Sequence, residues 1–227
     1  MKTFMRKISS SLLFCLAAMS FVYGQTAASL NGSDRFTPAV MKATEVKSAF
    51  LFNRNYLLAD IILASGKTAD GNKFKLNLQD SKIYYLDVTG EEMEVLNPIK
   101  SITFVVQEDN KIPATFEKGF PAVGKLTEDN FYQVLVPGKI SLLLDTKFLE
   151  VTRMQVPTGP VTEVNKLENY YGSNGRTTLR ITKPEDIVEL MPDKSKEISA
   201  YIQQEKIKTR KQSDLIKVFT YYNSLAK

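Results

Sequence analysis

The chain has 227 residues and a formal net charge of +5, with no histidine, no tryptophan and a single cysteine, Cys15. Without imidazole it has neither a serine–histidine–acid triad nor a cysteine–histidine pair. Beyond Cys15 it also lacks the imidazole and thiolate ligands of zinc, copper, haem and iron–sulfur sites.

Lys2, Arg6 and Lys7 precede an uncharged, mostly apolar run from Ile8 to Tyr23, followed by Gly24 and Gln25. This pattern predicts a secretory signal over 1–24. The run falls short of the roughly 20 residues a bilayer span needs, and Ser9, Ser10, Ser11 and Ser20 interrupt it, which argues against an anchor. Phe14 stands where a lipid-modified Cys15 would need a small residue. Removing 1–24 leaves a net charge of +2 and no thiol, so an exported protein has to be held by its core. The remaining charge is uneven: 151–227 carries +4 and 25–150 carries −2.

Residues 25–40 are small and polar (QTAASLNGSDRFTPAV) and read as a flexible leader. From about residue 41 to 182 short apolar runs alternate with turn residues, the pattern of an antiparallel meander. Tyr56–Ala59 with Ile61–Leu63 predicts a strand, with Ser65-Gly66 and Asp70-Gly71 in the loop after it. Phe74, Leu76 and Leu78 alternate with Lys73, Lys75 and Asn77, and Ile102, Phe104 and Val106 repeat the device. KIYYLD (82–87) and EMEVL (92–96) flank the turn Thr89-Gly90, and FYQVLV (131–136) and KISLLL (139–144) flank Pro137-Gly138. QEDNK (107–111) reads as a turn, and 111–124, with Pro113 and Pro121, as an edge or loop. LENYYGSNGRTTLRI predicts a last hairpin turning at Asn174-Gly175.

The period then switches to a helical tail over 183–227, expected to pack on the β domain. Pro184 with Glu185 and Asp186 opens one helix, Asp193 is placed to cap a second and Ser213 a third. Leu215, Val218, Phe219, Tyr222 and Leu225 form the clearest apolar stripe in the chain. The expected fold class is therefore β-rich α+β: a meander forming an open barrel or folded-over sheet, followed by two or three short C-terminal helices.

Chemistry-bearing candidates are few. EKIKTRKQ (205–212) concentrates Lys206, Lys208, Arg210 and Lys211 but has no aromatic residue to stack on a base. It reads as a solvated linker between helices, with a peripheral contact to an anionic glycan or lipid of the envelope as the alternative, and not as a nucleic-acid grip. Glu92 and Glu94 share a strand face, the one pair near to a glycosidase arrangement, yet that spacing suits solvated glutamates opposite Met93 and Val95. QEDN and TEDN lack the spacing and central glycine of a calcium loop. ASGKTADG lacks the spacing of a phosphate loop. In Tyr84-Tyr85, Tyr170-Tyr171 and Tyr221-Tyr222, neighbouring rings diverge, so each pair is expected to give one ring to the core and one to the surface. No catalytic, cofactor or metal residue emerges, and the binding surface is left open.

The stretches KIYYLDVTGEEMEVL, FYQVLVPGKISLLL and LMPDKSKEISAYIQQEKIKTRKQSDLIKVFTYYNSL resemble secreted envelope proteins of Gram-negative type, a group of uncharacterised families. These have a strand-rich body, a lysine-centred hairpin near VPGKISLL and a short helical tail ending in YYNS. The resemblance implies export to a compartment, periplasmic or extracellular and associated with the outer membrane, and a shape, but carries no active residue. The expected role is a non-catalytic protein that binds an envelope protein, glycan or lipid, or supports the envelope. Alternatives are a carrier with a small apolar ligand inside a barrel and a carboxylate-based glycan hydrolase.

Overall fold

The computed structural model describes residues 40–42, 48–105, 113–157 and 159–225. The segment expected to be a signal, 1–24, and all of the expected leader but Val40 lie outside the described residues, as do Val106 and QEDNK. Among the described residues eleven strands form one antiparallel sheet: β1 (Val40–Lys42), β2 (Leu57–Leu63), β3 (Thr68–Asn77), β4 (Lys82–Leu86), β5 (Glu92–Val95), β6 (Ile99–Phe104), β7 (Ala114–Glu117), β8 (Tyr132–Val136), β9 (Ser141–Gln155), β10 (Gly159–Ser173) and β11 (Thr178–Ile181). Three helices follow, α1 (Pro184–Leu190), α2 (Ser195–Gln204) and α3 (Gln212–Leu225). The strand order is β1-β5-β4-β3-β2-β6-β7-β8-β9-β10-β11.

That order forces a curl. In a flat sheet β5 and β6 would stand four strand spacings apart, roughly 19 Å. The steps from Val95 to Ile99 span at most roughly 14 Å. The first half therefore wraps on itself without closing, around Phe74, Leu76, Ile83, Tyr85, Ile102 and Phe104. Phe52 packs edge-on to Phe116 at 4.8 Å and tilted against Phe104 at 5.3 Å inside this curl.

In the second half the same sheet face is covered by the helices. Leu142, Leu144, Tyr170 and Ile181 meet Ile187, Leu190, Ile198, Leu215, Val218, Phe219 and Tyr222. Gly172 is the contact point: a Cβ there would lie 2.3 Å from Leu190 Cδ1 and 3.2 Å from the Phe219 ring. Asn223 of the YYNS ending takes the place of a neighbouring strand at the VPGKI hairpin. Its Nδ2 donates to the Ile140 carbonyl at 3.0 Å, and Ile140 N–H donates to its Oδ1 at 3.2 Å. The opposite face carries a smaller cluster of Leu126, Tyr132, Leu143 and Tyr171.

Several expectations are corrected. Asp70-Gly71 is no loop; it lies inside β3, where the pairing shifts register between Ala59 and Ile61 and Gly71 takes φ +73°, a bulge that glycine accommodates. Within 113–124 the expected loop is found at 118–124, but Ala114–Glu117 forms β7, which is no edge because it pairs with both β6 and β8; Pro113 and Pro121 flank this four-residue strand without interrupting it. Asn77 is buried, its Oδ1 accepting from the N–H groups of Gln79 and Asp80 to form the β3–β4 turn. Both rings are buried in Tyr84-Tyr85 and in Tyr170-Tyr171. The reason for the latter is that helices cover one sheet face and the 118–130 loop the other; Tyr84 lies between cross-strand Lys75 and Glu94. Asp193 does not cap α2 but sits in a short 3-10 turn, Pro192–Lys194, and accepts from Lys139 and Tyr222. α3 begins at Gln212, one residue before Ser213, and Leu225, its last residue, is exposed.

Candidate functional site at the foot of a projecting hairpin

β9 and β10 pair over their full fifteen residues each, from Ser141↔Ser173 to Gln155↔Gly159. β8 accompanies β9 only at Leu142–Leu144, and β11 accompanies β10 only at Tyr170–Ser173. Beyond those points the hairpin continues as a two-stranded arm, with no further strand beside it among the described residues. Alternating residues of the ribbon place Leu149, Val161 and Leu167 on one face and Met154 and Val164 on the other, all exposed. Val156 at the tip is 91% exposed.

The arm is fixed at its foot. The Phe148 ring packs tilted against Phe50, 5.5 Å between centroids, and Phe148 N–H donates to Gln79 Oε1 at 3.1 Å. On the other face Asp145 is buried opposite Asn169, with Lys147 Nζ at 3.5 Å; Asn169 Oδ1 accepts from Arg180 at 2.5 Å. Burial pushes the Asp145 carboxyl above its ordinary value, against the pull of Lys147, Asn169 and Arg180. The neighbouring Tyr132 hydroxyl is buried with no hydrogen-bond partner among the described residues, and burial raises it too. Tyr170 is pushed up to about 12 by burial and by Glu168, to which its hydroxyl donates at 3.3 Å.

Two open clefts flank this foot, and Arg180 lines both. One, of about 400 Å³, is bounded by Glu168, Asn169, Tyr170, Thr182, Thr209 and Arg210. The other, of about 670 Å³, includes Gln79, Lys125, Asp145, Lys147, Leu149 and Tyr171.

The EKIKTRKQ stretch is built as a helix stop and start. Ile207 N–H donates to the Ile202 carbonyl and Lys206 N–H to that of Gln203, a Schellman closure with Lys206 at φ +51°. Ile207 is buried, Asp214 accepts from Lys208 N–H at 3.2 Å, and Lys206, Lys208, Arg210 and Lys211 are exposed. Only Thr209 and Arg210 of this stretch line the first cleft.

Glu92 and Glu94 lie on one face of β5 as expected, with Val95 in the core and Met93 packed against it. Both are engaged: Glu92 accepts from the Tyr56 hydroxyl and from Lys75 at 3.2 Å, and Glu94 from Lys82 at 3.0 Å. TEDN is a turn, in which Asn130 Oδ1 accepts from Thr127 N–H and Asn130 N–H donates back to the Thr127 carbonyl. ASGK forms the β2–β3 turn with Gly66 at φ +83°.

Asp145, Asn169 and Arg180, and the arm itself, escape a sequence reading. The β-branched Val151, Thr152, Val161, Thr162 and Val164 are the signal for extended strands there, but no local pattern says that the strands outrun their neighbours. Comparison with family models, curated proteins and solved structures finds no match to this chain. Among the described residues no helix is long and apolar enough to cross a membrane.

Proposed function

We propose that this is a non-catalytic, exported protein of the cell envelope whose hairpin arm docks a partner. The observation that carries the reading is the arm: a two-stranded ribbon extending past the body, with Leu149, Met154, Val156, Val161, Val164 and Leu167 exposed. A two-stranded hairpin is marginal in water by itself, and exposed apolar residues gathered on one projection mark a contact surface. The interior of the curl is filled by Phe74, Leu76, Ile102 and Phe104, none with measurable exposure, which favours action at the surface over an apolar ligand carried inside. Export rests on the basic, apolar and small-residue succession of 1–24. The exposed lysines and arginine of 206–211 offer an additional peripheral contact to anionic envelope groups.

The test is photo-crosslinking in intact cells from Val151 and Val156 on the arm, with Lys196 and Lys217 on the helices as controls. Discrete adducts from the arm positions alone, recovered with the envelope fraction, are expected. Adducts distributed equally over all four positions, or turnover of a polysaccharide by the purified protein that Glu92→Gln abolishes, would overturn the reading.

A further inference from the structure

We propose that the arm's partner is a second copy of this chain, joined antiparallel along the free edge of β10 with Val164 on the two-fold axis; this rests on the docking role assigned to the arm.

The backbone sets which residues can bond across that edge. Phe148 N–H points away from β10, towards Gln79, so the Phe148↔Lys166 pair is one whose backbone groups face outwards. By alternation Pro160, Thr162, Val164, Lys166 and Glu168 direct their N–H and C=O groups, or for Pro160 its C=O alone, to the free edge. Beyond β11 no described strand pairs with them. A two-fold strand pair must match outward residues with outward residues, which leaves few centres.

Centring on Val164 pairs residues whose numbers sum to twice 164. Val164 then meets Val164 of the second copy, and Val161 meets Leu167 of the second copy, twice by symmetry. Thr162 lies opposite Lys166, Glu163 opposite Asn165 and Pro160 opposite Glu168. Every exposed apolar residue of β10 finds an apolar mate, and no two like charges are directly opposed. Val161 and Leu167 fall in the closer, non-hydrogen-bonded positions, where side chains touch best. Centring on Glu163 would set that carboxylate against itself, and centring on Asn165 would put Val164 against Lys166 and Leu167 against Glu163.

Pro160 and Lys166 are residues that often blunt an edge. Here Pro160 sits at the end of the register, where its carbonyl alone is needed, and Lys166 already pairs with Glu168 at 2.6 Å on its own strand. The new strand lies on the side of β10 that β11 occupies from Tyr170 onwards, so beyond Pro160 the tip of the second copy has to turn out of the sheet, beside the cleft of about 400 Å³ at Thr182 and Arg210. The product is a four-stranded ribbon of two arms, which satisfies both the open edge and the marginal stability of a lone hairpin.

The test uses introduced thiols in the full chain carrying Cys15→Ser. In the proposed register Val164→Cys places two sulfurs within disulfide reach. Thr162→Cys alone leaves its thiols several residues apart, whereas Thr162→Cys with Lys166→Cys restores a cross-link. Val164→Cys is expected to form disulfide dimers about tenfold faster than Thr162→Cys. Light scattering should give a dimer for the Cys15→Ser parent, and Val164→Asp should weaken its association roughly thirtyfold with unchanged circular dichroism. A monomer at all concentrations, or cross-linking that ignores this register, overturns the inference. If photo-crosslinks from Val151 and Val156 nevertheless capture a different protein, the docking role stands and only the second copy is wrong; if the arm captures nothing, both fall.

Discussion

The two halves of the β9–β10 hairpin are made of similar residues in one continuous ladder, yet they have opposite surroundings. At the root, Leu142, Leu143 and Leu144 are buried between the helices and the 118–130 loop, and Tyr170 and Tyr171 fill the facing positions. In the arm, Leu149 and Leu167 stand about half exposed on the same strands. The difference teaches that strand character and burial are separate properties. Alternation and β-branched residues make the ladder; the elements packed on it decide which part is core.

The largest effect should separate root from arm by one substitution type. Leu142→Ala removes a fully buried side chain and is expected to cost about 2–5 kcal/mol in denaturant unfolding. The same change at Leu149, half exposed in the arm, should stay within about 0.5 kcal/mol. Equal losses at the two sites would mean that Leu149 is packed in solution, against its own chain or against a second copy.

Next in size are the contacts that bind the helices to the root. Gly172→Ala drives a Cβ into Leu190 and the Phe219 ring and should cost about 1–3 kcal/mol. Asn223→Ala leaves the Ile140 N–H and carbonyl without their side-chain partner, again a loss of about 1–3 kcal/mol. Both are readable as lowered thermal midpoints, and neither should alter the arm's cross-linking.

Smaller still is the cap at the start of α1. Burial works against the Asp186 charge, but hydrogen bonds from Thr182 N–H at 2.7 Å, its hydroxyl at 2.8 Å and Lys183 N–H at 3.0 Å outweigh it and hold the carboxyl below its ordinary value. A lowered folded-state value adds stability above the unfolded carboxyl value of about 4 and loses it as pH falls through the folded value. Asp186→Ala should therefore cost about 1 kcal/mol at neutral pH and progressively less in acid. Asp145, at the foot of the arm, has the opposite sign. Its raised folded-state value makes the charged form a burden above that value, so Asp145→Asn should be neutral or stabilising at pH 7 and the advantage should vanish in acid. A pH series of unfolding curves on both variants checks the two signs together.

What the residues determine locally was legible without coordinates. The period of two in Phe74, Leu76 and Leu78, the glycines of the Ser65-Gly66, Thr89-Gly90 and Asn174-Gly175 turns, and the 3.6-residue stripe of Leu215, Val218, Phe219 and Tyr222 each act within a few residues. The missing imidazole was legible too, as a property of composition alone. The strand-rich sheet with its helical end follows from these signals. Other features depend on residues far apart: the curl imposed by β6 returning beside β2, the second cover that buries both rings of Tyr170-Tyr171, the reach of Asp193 to Lys139 and Tyr222, and the overrun of β9 and β10. A strand's pattern states which side chains share a face, but whether anything covers that face or pairs with its edge is set by distant segments, and that was decided only in the tertiary structure.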